Sequence, residues 1–330
     1  MNKFILSCDW GTSNFRLRLW NNKANTVEGE FKSDYGIHRI SSDINGEDKS
    51  SPKREKYFKN YLKEALAQLS ESSKIDLLDH IPIIASGMIS SSIGMVELPY
   101  ATLPFDISGQ SLESHFLKKN EDFPHDILII SGVCNKNDVM RGEETELVGI
   151  ASSITEESDE FVFVMPGTHS KHIYVKDGRV IDFQTFMTGE TFALLTERSI
   201  LKNSIKSPDG LFAEKYVQHF IDGVSQSIEN PILLQSLFSV RTNQLFKRKN
   251  LNENYFYLSG ILIGSELNAI KTTSSQKVIF CCNGKMKALY KFGAEKLGLA
   301  NSSLFLSEQK IGLAACRGQY TIYQKIIAKA

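Results

Sequence analysis

A strand-turn-strand pattern occurs twice, half a chain apart. The first copy is Phe4-Ile5-Leu6-Ser7-Cys8, then Asp9-Trp10-Gly11-Thr12-Ser13-Asn14, then Phe15-Arg16-Leu17-Arg18-Leu19-Trp20. The second is Phe161-Val162-Phe163-Val164, then Met165-Pro166-Gly167-Thr168-His169-Ser170, then Lys171-His172-Ile173-Tyr174-Val175. Each reads as a buried strand, a Gly-Thr turn with small polar residues and a returning strand, which is a β-hairpin. Gly11 and Gly167 lie 156 positions apart in a chain of 330 residues. An echo at that spacing predicts two similar domains, each offering a polar hairpin tip to one cleft.

The remaining pattern predicts an alternating α/β plan. Ser51 and Pro52 suit a helix start, after which Tyr57, Phe58, Tyr61, Leu62, Ala65, Leu66 and Leu69 share a face. Residues 81–85 and 127–130 read as buried strands and 142–151 as a helix. The polar stretch Ser152 to Glu160 reads as the crossing between halves, giving domains at 1–152 and 153–330. Helices are expected near 190–201, 211–227, 231–240, 253–271, 285–297 and 311–329, with a strand at 278–282. The last helix is expected to return towards the N-terminal domain.

Composition narrows the partners. Lys and Arg number 38, and so do Asp and Glu, whereas a chain built to grip nucleic acid or an anionic membrane usually carries a basic surplus. The five cysteines, at 8, 134, 281, 282 and 316, include no CxxC pair, so they read as reduced thiols. With no leader-like segment at its start and no stretch of about 18 apolar residues, the chain is expected in the cytoplasm. Oligomeric state is left open, a homodimer among the options.

Asp9 ends an apolar strand, where an ionised carboxylate needs a positive partner. A Mg²⁺ ion is one such partner, and the Gly11, Thr12 and Ser13 donors suit phosphate oxygens; the alternative is an Asp bonding its own turn. In the second hairpin Gly167, Thr168, His169, Ser170 and Lys171 put donors and a cation at the corresponding tip. Neither GxxxxGK[ST] nor a GxGxxG opening a helix is present, which disfavours P-loop and Rossmann enzymes but not nucleotide binding.

Asp9-Trp10-Gly11-Thr12-Ser13 resembles the first phosphate motif of the sugar-kinase, Hsp70 and actin superfamily, and Pro166 to Lys171 resembles its second. Together with Gly87-Met88-Ile89-Ser90-Ser91, Met140 to Thr145, Met187-Thr188-Gly189-Glu190 and Leu258 to Glu266, they resemble the 2-dehydro-3-deoxygalactonokinase family over nearly the whole chain. The resemblance implies an α/β fold of two similar ribonuclease H-like (actin/hexokinase-type) domains around an interdomain cleft. It implies transfer of phosphate from ATP, with Mg²⁺, to the 6-hydroxyl of 2-dehydro-3-deoxy-D-galactonate. Glu143 then occupies the catalytic acidic position at a helix start, with Glu144 as rival and Asp138 as a third candidate. Arg16 and Arg141 are the cations for the substrate carboxylate, with Met88 and Ser91 in an adjoining loop, whereas Arg18 reads as solvent-facing. Asn283 and Gly284 fall at the adenosine motif, and Gly260 and Gly264 mark a close-packed helix face open to adenine or to a neighbouring helix. Two other readings stay open: an ATP- or polyphosphate-hydrolysing regulator on the same core, and a kinase for the epimeric keto-deoxygluconate.

Overall fold

The structure, a computed structural model, describes residues 3–44, 51–73, 80–154, 160–208, 214–270 and 276–328. The capping side chain expected at Ser51, residues 155–159 of the expected crossing and the helix start expected at 211 lie outside the described residues. The chain divides into two compact units: Met1–Thr155 with Gly178–Ile181 and Gly312–Ala330, and Glu156–Asp177 with Asp182–Ile311.

In the first unit β1 (Phe4–Trp10), β2 (Phe15–Asn21) and β3 (Thr26–Ser33) form an antiparallel meander. α1 (Ile37–Asp43) and α2 (Ser51–Ser73) follow, and then β4 (Ile83–Gly87), parallel to β1. Past the short strands β5 (Ala101–Thr102), β6 (Phe105–Asp106) and β7 (Ser114–Leu117) comes β8 (Ile127–Ile130), parallel to β4. The sheet order is β3-β2-β1-β4-β8-β7. β9 (Val133–Cys134) and β10 (Val139–Met140) join β5 in a small second sheet, and α3 (Glu143–Ala151) follows.

The second unit repeats this plan. β11 (Glu160–Met165), β12 (Ser170–Lys176) and β13 (Arg179–Phe186), whose residues 179–181 fall in the first unit, form the meander, and α4 (Thr188–Arg198) leaves it. Helices α5 (Val217–Glu229), α6 (Leu233–Leu245) and α7 (Leu251–Leu267) lead to β14 (Lys277–Phe280), parallel to β11. After α8 (Gly284–Lys296), β15 (Ser303–Phe305) pairs in parallel with β14. The order β13-β12-β11-β14-β15 matches β3-β2-β1-β4-β8, the ribonuclease H-like arrangement that the resemblance implied. Beyond α9 (Glu308–Gly312) the chain returns to the first unit as α10 (Ala314–Ile327), so the single helix expected over 311–329 is broken at Leu313.

Among the described residues eight strands were not expected: β5, β6, β7, β9, β10 and β15, of two to four residues each and too short to show a period, and the longer β3 and β13. β13 carries polar residues on both faces, and β3 alternates but has only Val27 and Phe31 as its apolar residues, with much of each strand open to solvent, so neither shows the strong apolar signal of a buried strand. Each becomes a strand because its hairpin partner offers a free row of backbone donors and acceptors.

The period of two along β1 sorts its side chains. Leu6, Cys8 and Trp10 enter a core with Phe58, Leu62, Ala65 and Leu69 of α2, while Tyr57 of that helix stays exposed. Trp10 meets Phe15 at 4.6 Å and Phe58 at 5.2 Å, both edge-on. Asp9 therefore projects from the opposite face, the one crossed by α10, whose Gln319 Nε2 donates to the Cys8 carbonyl at 2.8 Å. α10 also crosses α3 closely: a Cβ on Gly318 would lie 1.8 Å from the Thr145 carbonyl oxygen, and one on Gly149 1.9 Å from that of Ala314. None of the five cysteines is in a disulfide.

Candidate active site

In the first unit the hairpin tip at Gly11–Asn14 is closed by the Gly11 N–H donating to the Asn14 carbonyl at 2.9 Å, which leaves Thr12 and Ser13 exposed. Gly36, immediately before α1, lies against this tip, where a Cβ would be 2.3 Å from the Thr12 carbonyl oxygen. The second tip repeats the device. A Cβ on Gly189 would be 2.4 Å from the Gly167 carbonyl oxygen, and the Glu190 N–H donates to Thr168 as the His38 N–H does to Thr12. At both tips a helix start rests on the Gly-Thr turn, and only glycine lets the backbones approach that far.

Behind the first tip stands an acidic cluster. Asp9 and Arg16 face each other in the β1/β2 register, with Nη1 and Oδ2 4.0 Å apart and 32% of the Asp9 side chain open. The Arg16 Nε lies 3.7 Å from Glu30. Glu143 and Glu146, one turn apart on α3, both act electrostatically on this group. Burial raises the Asp9 pKa, Arg16 and Arg18 oppose the shift and Glu143 adds to it. Glu146 is pushed up to about 8 by burial, then by the charges of Asp9 and Glu143. Glu144, fully buried, is pushed up to about 7 by burial and by Glu143.

The start of α3 is tied by its own side chains. The Arg141 N–H donates to Glu143 Oε2 at 3.0 Å, and the Gly142 N–H to Glu144 Oε2 at 2.7 Å. Gly142 makes the sharp entry at φ 115°, in the left-handed region. Glu144 also accepts from the Thr145 hydroxyl at 3.0 Å, so its carboxyl is committed to holding this turn.

Several expected ligand residues have structural partners instead. Arg141 Nη1 donates to both the carbonyl and the hydroxyl of Ser90 at 2.6 Å, and its guanidinium lies 4.1 Å from the Tyr100 ring. The Ser91 hydroxyl is turned inward onto the Met88 carbonyl at 2.7 Å, closing the turn that Met88 begins. Arg18 is not solvent-facing: it is buried, donating to Glu30 at 2.6 Å and to the Gly312 carbonyl at 2.7 Å, because the C-terminal segment covers that part of the sheet. Asp138 accepts from the Val139 N–H within its own turn.

In the second unit Gly167, Thr168 and His169 are exposed, and His169 Nε2 lies 2.6 Å from Glu190. Ser170 and Lys171 do not share this exposure. The Ser170 hydroxyl donates to buried Glu266 at 2.7 Å, and the Lys171 ammonium, 4% exposed with its side chain, donates to the His169 carbonyl at 3.3 Å. These two expected phosphate donors are therefore turned into the unit, and of the expected set 167–169 face solvent. Met165, not a carboxylate, occupies the position matching Asp9, so the two tips are chemically unequal.

Beside this tip opens a cavity of about 260 Å³. Phe192, Tyr255, Leu262, Ile263 and Leu289 give it apolar walls, and Lys285 stands at its edge, with its ammonium 4.6 Å from the Tyr255 ring. Asn283 and Gly284 lead into α8, which supplies Lys285, Leu289 and Tyr290 to the wall. Gly260 and Gly264 are not part of it. A Cβ on Gly260 would lie 2.1 Å from the Phe220 carbonyl oxygen of α5, and one on Gly264 2.3 Å from the Ser227 hydroxyl. The neighbouring helix, not an adenine ring, occupies that face.

The residues that sequence reasoning left without a role are Glu146, Glu266, Thr188 and Tyr290. The first stood inside an acidic run with no pattern separating it from its neighbours. Glu266 and Thr188 lay in motifs that carried the resemblance, without local chemistry to distinguish them.

The model of the family described as 2-keto-3-deoxy-galactonokinase matches residues 9–315. A Rhizobium meliloti (strain 1021) protein assigned as a 2-dehydro-3-deoxygalactonokinase is 32% identical over 306 residues, 90% of each chain. The 2-dehydro-3-deoxygalactonokinase of Escherichia coli (strain K12) is 29% identical over 277 residues, 82% of each. The crystal structure of a Sinorhizobium meliloti protein assigned to the same activity superposes with a TM-score of 0.77 at 29% identity, covering 98% of this chain and 96% of that one.

Proposed function

The chain belongs to the 2-keto-3-deoxy-galactonokinase family, and on that premise we propose that it transfers the γ-phosphoryl group of ATP to the 6-hydroxyl of 2-dehydro-3-deoxy-D-galactonate. The products are 2-dehydro-3-deoxy-6-phosphogalactonate and ADP. What carries this reading is the family match across residues 9–315, which takes in both Gly-Thr tips, α3 and the cavity helices.

Phosphoryl transfer asks a protein for position and charge more than for covalent chemistry. Glu143 accepts the proton of the attacking hydroxyl, its carboxylate aimed by the Arg141 N–H. Arg16, 40% exposed and only loosely paired to Asp9 and Glu30, turns to the sugar-acid carboxylate. Arg141 acts indirectly, fixing the Ser90 turn against the start of α3. In the first unit Thr12 and Ser13 offer donors to phosphate oxygens; in the second unit the exposed donors at 167–169 do the same, beside the apolar cavity that takes the adenine.

Magnesium suits the first cluster. Asp9 and its neighbours Glu143 and Glu146 are hard oxygen donors coupled through their charges, yet among the described residues no three His, Cys, Asp or Glu side chains form a cage. That donor set fits an ion that keeps most of its waters and takes one carboxylate, Asp9, together with phosphate oxygens. Bound there, Mg²⁺ supplies neutralisation of phosphate charge.

The test is ATP consumption with 2-dehydro-3-deoxygalactonate, its gluconate epimer and no acceptor. The proposal expects turnover with the galactonate compound; equal consumption without acceptor would replace it with a hydrolase. Glu143→Gln is expected to lower turnover about 100-fold or more, the usual scale for losing a general base, with ATP affinity within about threefold. Near-normal turnover in that variant would remove Glu143 as the base.

A further inference from the structure

Glu266 lies on α7 with 2% of its surface exposed, under the cavity and the second tip. Its carboxyl group meets four polar side chains from three other elements. Ser170 Oγ donates at 2.7 Å and His172 Nε2 approaches at 3.2 Å, both from β12. Tyr290 Oη of α8 stands 2.9 Å from Oε2, and Thr188 Oγ1 at the start of α4 donates to the same oxygen. Among the described residues the other ring nitrogen of His172 has no hydrogen-bond partner; the ring packs on Phe186 at 4.4 Å and its hydrogen bond is to Glu266.

These side chains are not scattered. Thr188 and Tyr290 line the cavity, and Ser170 is the residue next to exposed His169 of the tip. Apolar packing alone would hold α4, α7, α8 and β12 together without fixing their register, because it has little direction. A buried carboxyl group is costly unless its lone pairs are filled, and a filled network specifies one arrangement. Burial, reinforced by the charge of Glu266, pushes the Tyr290 phenol well up, which keeps it a donor.

We propose that Glu266 is a positioning residue for the nucleotide, clamping the Thr188 and Tyr290 walls of the cavity and the Ser170 root of the phosphate tip into one preformed geometry. This rests on the reading of the cavity as the nucleotide site. Preorganisation of this kind acts on nucleotide affinity and leaves the acceptor side alone.

The experiment measures ADP binding by calorimetry, and KM for ATP and for the sugar acid, in the full chain and its variants. Glu266→Gln replaces one acceptor oxygen by an amide donor and is expected to weaken ADP and raise the ATP KM about tenfold, with the sugar-acid KM within about twofold. Tyr290→Phe and Thr188→Val each remove one donor and are expected to weaken ADP by about three- to tenfold alone, but to add little in the Glu266→Gln background. Thr188→Ser keeps the hydroxyl and is expected to retain wild-type affinity. Unchanged ADP affinity in Glu266→Gln, or equal loss for both substrates, overturns the clamp. If Glu266→Gln does not fold, the contrast between Thr188→Val and Thr188→Ser decides, equal affinities overturning it. Failure of the wild type to bind ADP would instead overturn the nucleotide reading of the cavity.

Discussion

Asp9 and Trp10 show how adjacent residues divide two tasks. Alternation along β1 sends the indole into an aromatic core with Phe15 and Phe58, and its Nε1–H finds the Tyr35 carbonyl at 3.1 Å. The same alternation sends the carboxylate to the opposite face, among Arg16, Glu143 and Glu146. Glu144, next to Glu143, points the other way again and is sealed in the fold. Its pKa, pushed up to about 7, lies above that of a carboxyl in an unfolded chain. A carboxyl raised on folding binds its proton more tightly in the native state, so its contribution to stability is fully present below about pH 4.5 and is lost as pH rises through about 7. Glu144→Gln removes this proton and should remove that slope. Melting temperatures from pH 5 to pH 8 are expected to show wild type losing ground to the variant; a constant difference would count against a raised Glu144.

At the level of elements, glycines set how closely helices meet. α5 and α7 touch through Gly223 and Gly260, each with its Cα about where a side chain of the other helix would otherwise sit. Gly260→Ala puts a methyl against the Phe220 carbonyl, and overpacking of that kind is expected to cost about 3 kcal/mol. That corresponds to about 6–12 °C in the thermal transition of a unit this size. Gly312→Ala, with open space around it, is the control and should melt like wild type. The glycine pair in α7 was visible in the sequence, but what it packs on was not. The hairpins, the buried strands at 83–87 and 127–130 and the apolar face of α2 were legible because each carries its own period. β3 and β13 were not, since their burial depends on a neighbour. Nor were the partners of Arg18 and Glu266, which come from positions 294 and up to 96 residues away in the chain, a separation that no local pattern encodes.

Across the whole molecule, duplication and discontinuity pull against each other. The two sheets share a strand order, yet the first unit is finished only when α10 arrives from the far end of the chain. That helix does more than cover the sheet. Gly318 and Gly149 interlock α10 with α3, the helix that presents Glu143 and Glu146, and Gln319 donates both to the Cys8 carbonyl beside Asp9 and to the Ser86 hydroxyl of β4 at 2.9 Å. Cys316 and Ile322 are fully buried in the same unit. Ending the chain at Ile311 would expose all of this apolar surface and leave the buried end of Arg18 without its Gly312 partner. Loss of this buried helix, together with the sheet and α3 surface it uncovers, is on the scale of the total, about 5–15 kcal/mol, that holds an ordinary domain together. The truncated chain is therefore expected to lose the native packing of the first unit, seen as loss of its thermal transition, and with it all phosphoryl transfer. The carboxylates of the acidic cluster would remain in the sequence but lose the frame that brings them together. A truncated chain that kept both its thermal transitions and wild-type turnover would show that α3 and β1 hold their places without α10.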